Sequence, residues 1–222
     1  MRKGTRVRPC CRWWGGSVME AYEALIFDLG KVVFDLSFAK VFQFWAAASG
    51  QSAEIISRNF QFDALFDEFE KGEVSAKEFR VEISERLGLQ LTDALFDEGW
   101  CSLYLDAYEG IDELLSNLRK RYRLVALTNT NSIHAQVWKT KYRVSLGYFD
   151  KVFCSHEIKT RKPEAQAYLN VLDYLGTKPQ QTIFLDDSYA NIEGAARLGI
   201  KSILVASQPQ MHADLHTALS SR

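Results

Sequence analysis

The sequence predicts an α/β fold, a doubly wound parallel sheet with a small helical domain inserted after its first strand. Two observations carry this expectation. From residue 22 onward, short and nearly uninterrupted apolar runs alternate with amphipathic helices, the pattern of parallel strands covered on both faces. One stretch, residues 38 to about 104, breaks that rhythm and carries helical spacing alone.

The first strand is read in Ala24-Leu25-Ile26-Phe27, an apolar run followed by a turn containing Gly30. Similar runs recur in Leu124-Val125-Ala126-Leu127, Thr182-Ile183-Phe184-Leu185 and Ser202-Ile203-Leu204-Val205, with Lys151-Val152-Phe153 as a weaker strand. Between them, Ile111, Leu114, Leu115 and Leu118 repeat at helical spacing, so one side of that helix faces a core. Pro163 suits a first helical position, Tyr168, Val171, Leu172 and Leu175 form the next stripe, and Gly176 supplies a left-handed end. The helix around Asn191 stops at Gly199. Strand and helix in this alternation imply right-handed crossovers and a Rossmann-like core.

In the inserted stretch, Phe42, Trp45, Ile55, Ile56, Phe62, Leu65, Phe66, Phe69, Phe79, Val81 and Ile83 are spaced for helices. Ser75 followed by Glu78 is a capping box opening a helix that runs to Gly88. Aromatic residues at this spacing are read as core rather than as a ligand cradle. The divisions expected are therefore residues 19–37 and 105–222 for the α/β core, and 38–104 for the insert.

Residues 1–18 hold Arg2, Lys3, Arg6, Arg8 and Arg12 and no acid, so the net charge of −1 conceals a mildly acidic remainder. That tail lacks the apolar segment of a signal peptide and the serine richness of a transit peptide. It fits no packed element, and Met19 is read as the alternative start. No basic stripe survives outside it, which argues against a nucleic-acid partner. The apolar runs are strand-sized, far short of the ~20 residues of a membrane span. Cys10, Cys11, Cys101 and Cys154 show no zinc-ligand spacing, and are read as reduced thiols of a cytoplasmic protein. Nothing in the sequence sets an oligomeric state.

In an open parallel sheet, ligands bind beyond the carboxyl ends of the strands. The first strand is followed there by Asp28, the second by Thr128 and Asn129, and the third by Asp186 and Asp187, while Arg161-Lys162-Pro163 precedes a helix. Each residue alone has an ordinary explanation as a cap, a strand end or a solvated charge. Together, three acids at one edge repel one another unless a cation intervenes, and hard oxygen ligands suit Mg2+. A lysine and a hydroxyl beside them suit the phosphate of a small metabolite.

Phe27-Asp28-Leu29-Gly30-Lys31-Val32-Val33, Ala126-Leu127-Thr128-Asn129, Lys162-Pro163 and Asp186-Asp187-Ser188 with Asn191 resemble, in order, the four motifs of the haloacid dehalogenase superfamily. The insert resembles that family's helical cap. The Asp-Leu-Gly-x-Val opening, the Thr-Asn-Thr-Asn stretch followed by His134 and Trp138, and Lys-Pro-Glu-Ala extend the resemblance over about residues 22 to 210. They point to the bacterial group that includes α-D-glucose-1-phosphate phosphatases. The resemblance implies Asp28 as nucleophile toward phosphorus through an aspartyl-phosphate, and Lys162 as the group offsetting charge. It implies Thr128 and Asn129 as phosphoryl-binding residues. Mg2+ is implied to be held by Asp28, the carbonyl of Gly30, Asp187 and Asp186, with Asn191 orienting them.

One departure stands out. The family's usual second aspartate, two residues after the nucleophile, is Gly30 here, and Lys31 follows where a small or amide residue is usual. His134 is a conceivable replacement acid, weighed against a packed or solvated histidine. The competing readings are a metal-independent 2-haloacid dehalogenase, against which the Asp186-Asp187 pair argues, and a non-catalytic binding or regulatory protein with the same fold.

Overall fold

The computed structural model describes residues 21–220. The basic tail of residues 1–18, with Cys10 and Cys11, lies outside the described residues.

The centre of the fold is β1 (Ala24–Phe27), whose four residues are fully buried. It lies between β4 (Arg123–Thr128) and β6 (Thr182–Asp186), with β5 (Lys151–Cys154) outside β4 and β7 (Lys201–Leu204) outside β6. The order is β5-β4-β1-β6-β7, and every neighbouring pair is parallel. Side chains alternate between the two faces with a period of two. Leu25, Phe27, Leu124 and Ala126 belong to one apolar cluster, while Ala24, Ile26, Val125 and Leu127 belong to another. Both faces are thus covered, which is why these strands read as continuous apolar runs.

The second cluster is closed by α10 (Ala165–Leu175), through Tyr168, Val171, Leu172 and Leu175, and by α11 (Tyr189–Arg197). On the opposite face pack α6 (Ile111–Leu118), α7 (Ser132–Lys141) and α12 (Gln208–Ser220). Two short helices, α8 (Arg143–Leu146) and α9 (Ser155–Ile158), flank β5. Gly176 and Gly199 take the left-handed conformation expected of them. Pro163 does not open a helix: α10 begins at Ala165 with Glu164 as its N-cap, and the Lys162–Pro163 peptide is cis.

Residues 38–101 form five helices: α1 (Phe38–Ser49), α2 (Ala53–Asn59), α3 (Ala64–Glu70), α4 (Ala76–Leu87) and α5 (Asp93–Cys101). The capping box at Ser75 is formed in both directions. The aromatic stripe is core, with Trp45 stacked on Trp100 and Phe69 on Phe79. Three of the residues spaced for helices face outward: Ile55, Phe62 and Val81. Val81 lies ~200° around α4 from buried Phe79, Ile55 is one position off the face of Ile56, and Phe62 sits in a loop where helical spacing has no meaning.

The chain enters and leaves this block through an antiparallel pair that the sequence reading missed, β2 (Phe34–Leu36) and β3 (Tyr104–Ala107). No described helix is long and apolar enough to cross a membrane.

Candidate active site

The register positions the site. Phe27 is level with Ala126 on one side and with Leu185 on the other, so the next residue, Asp28, emerges beside Leu127 and Asp186. The Asp28 N–H donates to Leu185 O at 2.8 Å, which extends the ladder one residue past β1. This is also where the strand order reverses, since the chain moves outward through β4 and β5 before returning to β6.

Asp28, Gly30, Thr128, Asn129, Lys162, Asp187 and Asn191 line one cavity of ≈ 140 Å³. Asp186 lies beneath it, fully buried. One carboxylate oxygen from each of Asp28, Asp186 and Asp187 lies within 4.8 Å of the other two. All the residues singled out from the four motifs are therefore brought to one place.

Lys162, itself 1% exposed, is central to the electrostatics. Its Nζ donates to Asp28 Oδ1 at 2.7 Å and to Asp186 Oδ2 at 2.6 Å. Burial alone would lower the Lys162 pKa, but the two carboxylates raise it well above its ordinary value, so it is a fixed cation. Burial pushes the Asp28 carboxyl up to about 7; Lys162 opposes this, and Asp186 and Asp187 add to it. The Asp187 carboxyl is raised by burial first and by Asp186 next, against Lys162 and Lys31. One buried ammonium facing three carboxylates leaves an excess of acid, which the raised Asp28 and Asp187 carboxyls register. A divalent cation would supply that balance, and all-oxygen donors suit a hard one.

Asp186 is held rigidly. Its Oδ1 accepts from the Ser188 N–H at 2.8 Å and from Asn191 Nδ2 at 3.0 Å, and its Oδ2 accepts from Lys162. Asp187, the next residue, faces the cavity instead. The Asn129 side chain is occupied by the backbone of Lys162: Nδ2 donates to Lys162 O and Oδ1 accepts from Lys162 N, each at 2.9 Å. Thr128 ends β4 with its side chain buried at the cavity wall.

His134 is not brought to the cavity. It is buried against Trp100, with Nδ1 3.0 Å from Asn131 Nδ2 and Nε2 3.1 Å from Trp100 O. Burial lowers its pKa to about 3, so it is a packed histidine and not the replacement acid. Nor is the place of the second aspartate merely vacant. A Cβ added at Gly30 would come within 2.6 Å of Leu36 Cδ1, so Leu36 fills that space.

Sequence reasoning also missed the link between the helical block and the loop before Lys162. Arg161 pairs with Asp67 and, at 2.8 Å, with Glu70 Oε2, both on α3, while Lys159 Nζ donates to Gly72 O at 2.8 Å. These contacts join residues about ninety positions apart, and no local signal announces them. The alternation Phe34-Asp35-Leu36 was the one available hint of β2.

A family model described as a hydrolase, haloacid dehalogenase-like, matches residues 22–199. A D-ribitol-5-phosphate phosphatase of Bacteroides thetaiotaomicron is 25% identical over 202 residues, covering 88% of this chain and 96% of that protein. The crystal structure of a HAD family enzyme from the same organism, in complex with magnesium and inorganic phosphate, superposes with a TM-score of 0.74 at 32% identity. That superposition covers 85% of this chain and 96% of the other. An L-2-haloacid dehalogenase of Xanthobacter autotrophicus, at 20% identity and a TM-score of 0.63, shares the fold. With a family match over most of its length, and with the four motifs gathered around one cavity, the chain belongs to the haloacid dehalogenase-like hydrolases.

Proposed function

We propose that the chain is a magnesium-dependent phosphatase of a small sugar or polyol phosphate, with Asp28 as nucleophile. The observation that carries this reading is the charge imbalance at the strand ends: three carboxylates face one buried ammonium, a deficit that suits both a divalent cation and a phosphoryl group. The similarity to a polyol phosphate phosphatase and to a magnesium- and phosphate-bound HAD enzyme supports it.

Asp28, Asp187 and the Gly30 carbonyl would hold Mg2+, with Asp186 contributing its charge from below, kept in place by Asn191 and Ser188. When bound, the cation offsets the repulsion between the anionic nucleophile and the anionic phosphate. Asp28 Oδ attacks phosphorus in line, and the ester oxygen departs with its electron pair. Water then attacks phosphorus in the aspartyl-phosphate, which releases inorganic phosphate and restores the carboxylate. Lys162 offsets charge on Asp28 and on the transferring group, and Asn129 fixes the backbone from which Lys162 extends. Thr128 Oγ1 and the amides after β4 bind phosphoryl oxygens. Helices α1–α5 act as a cap over the cavity, fastened by Arg161 to α3.

Gly30, covered by Leu36, leaves no carboxylic acid in the second-aspartate position, so the departing oxygen takes its proton from water. A sugar 1-phosphate, which departs through an anomeric oxygen, depends on that proton less than a polyol phosphate does. Dehalogenation would need no cation and leaves the Asp187 carboxylate without a role. The test is phosphate release from a panel of sugar, polyol and aryl phosphates, with Mg2+ or with EDTA, and with Asp28→Asn as control. Mg2+- and Asp28-dependent release supports the proposal; turnover of a 2-haloacid in EDTA would replace it.

A further inference from the structure

The cavity has a second, opposing wall that the four motifs do not supply. Phe34, Leu36, Tyr104 and Trp138 make most of it, and they offer little to a polar leaving group. The Trp138 Nε1–H already donates to Thr130 Oγ1 at 3.0 Å, and the Thr130 hydroxyl also lies against the Tyr104 oxygen. Leu36 covers Gly30. The remaining polar side chain on this wall is Lys31.

Lys31 is set there by an unusual backbone. Its φ is 60°, a left-handed conformation rare for a residue with a side chain. The tight turn after β1 imposes it, with the Lys31 N–H donating to Phe34 O at 2.7 Å and the Val33 N–H to Leu29 O at 2.7 Å. The Lys31 side chain is 44% exposed, and its ammonium lies 2.5 Å from Asp35 Oδ1. The same oxygen accepts from Tyr108 Oη at 3.2 Å and from the Leu36 N–H at 2.8 Å. Lys31 therefore keeps donors to spare toward the cavity it lines, while Asp35, between the two cavity-lining residues Phe34 and Leu36 and not itself a lining residue, holds the ammonium in place from the side. A fixed ammonium with free donors matches a hydroxyl of the bound molecule.

We propose that Lys31, held in place by Asp35, is the specificity-determining residue of the site, selecting phosphoesters whose leaving group carries a hydroxyl close to the ester oxygen. This rests on the phosphatase reading and narrows it. Lys31 donates to that hydroxyl, Asp35 fixes the direction of its ammonium, and the aromatic wall lies against the carbon chain beside it. A cavity of ≈ 140 Å³ has room for about five water-sized groups at ~30 Å³ each, enough for the phosphoryl group and the first atoms of the leaving group, which are the atoms Lys31 can reach. An aryl phosphate can use the phosphoryl half of the site and the apolar wall, but gains nothing from Lys31.

The test compares D-ribitol 5-phosphate with phenyl phosphate in the full-length protein and in its Lys31→Ala, Lys31→Arg and Asp35→Asn variants. Hydrolysis is read as the ratio of kcat/KM for the two substrates. Binding is read by calorimetry in Mg2+ on an Asp28→Asn background, where no turnover is needed. Lys31→Ala is expected to lower the ribitol-to-phenyl ratio about tenfold, mainly through KM, and to weaken ribitol 5-phosphate binding by a similar factor. Lys31→Arg should recover part of both, and Asp35→Asn should act in the same direction as Lys31→Ala. Equal losses for both substrates, or no loss for either, would overturn the proposal. Absence of hydrolysis by the unaltered site, with the Lys31-dependent binding preference retained, would strike the phosphatase reading and leave this one standing.

Discussion

Asn129 holds Lys162 by both sides of one peptide unit, accepting from its N–H and donating to its carbonyl at 2.9 Å each, across 33 residues of chain. The residue after Thr128 therefore sets where the site ammonium begins. Asn129→Ala removes both bonds and leaves a part-buried N–H and carbonyl unpaired, at a cost of roughly 2 kcal/mol. Its kcat should fall more than tenfold, by about 1.4 kcal/mol or more of barrier, with KM changed less. Denaturant melts and steady-state kinetics measure the two effects separately.

A second contact bears on the same lysine from the other side. Burial pushes Glu70 up to about 7, against Arg161. Arg161 and Lys162 oppose that rise, and Asp67 adds to it. Because the folded-state pKa exceeds the ordinary value of 4.5, the folded protein holds this proton more tightly than the unfolded chain. The contribution of Glu70 to stability is therefore greatest below pH ~4.5 and declines as pH rises toward ~7, by up to roughly 3 kcal/mol. Glu70→Gln should flatten this part of the stability profile, measured by urea unfolding between pH 4.5 and 8.

Gly30 and Leu36 are coupled by space. Gly30→Ala sets a Cβ within 2.6 Å of Leu36 Cδ1, the end of a half-buried side chain that can turn aside, and should destabilise by up to about 1 kcal/mol. In a Leu36→Ala background the same change should cost much less. A double-mutant cycle that came out additive would show that Leu36 does not fill this position.

Cation binding is measurable without turnover. At a concentration about 100-fold above its dissociation constant, Mg2+ should stabilise the protein by ~2.7 kcal/mol. Asp187→Asn should abolish most of that gain, since Asp187 faces the cavity while Asp186 is already bonded to Ser188, Asn191 and Lys162. Thermal melts in EDTA and in Mg2+ provide the comparison.

Much of the architecture was legible because buried parallel strands are short apolar runs whose next residues are exposed to a common edge. Asp28, Thr128 and Asp186-Asp187 could be assigned to that edge from their neighbours alone. Other features depend on pairings between distant segments. The β2–β3 ladder joins Phe34 to Ala107, and neither short strand has enough residues to establish a period. Arg161 and Glu70 are ordinary surface types in sequence and become a pair of half-buried Arg161 with buried Glu70 only when α3 docks on the loop before Lys162. His134 looked available because helical spacing says nothing about which neighbour fills the space beside it, and that neighbour is Trp100. Pro163 was misplaced by two residues because Glu164, not the proline, has the extended conformation of an N-cap.

The central claim is that Asp28 itself carries the phosphoryl group, and rapid acid quench during turnover with mass spectrometry of the proteolysed enzyme tests it most directly. The account predicts a phosphate on the peptide containing Asp28, formed in Mg2+, absent in EDTA and absent from Asp28→Asn, which should also release no phosphate. Undiminished hydrolysis by Asp28→Asn would contradict it.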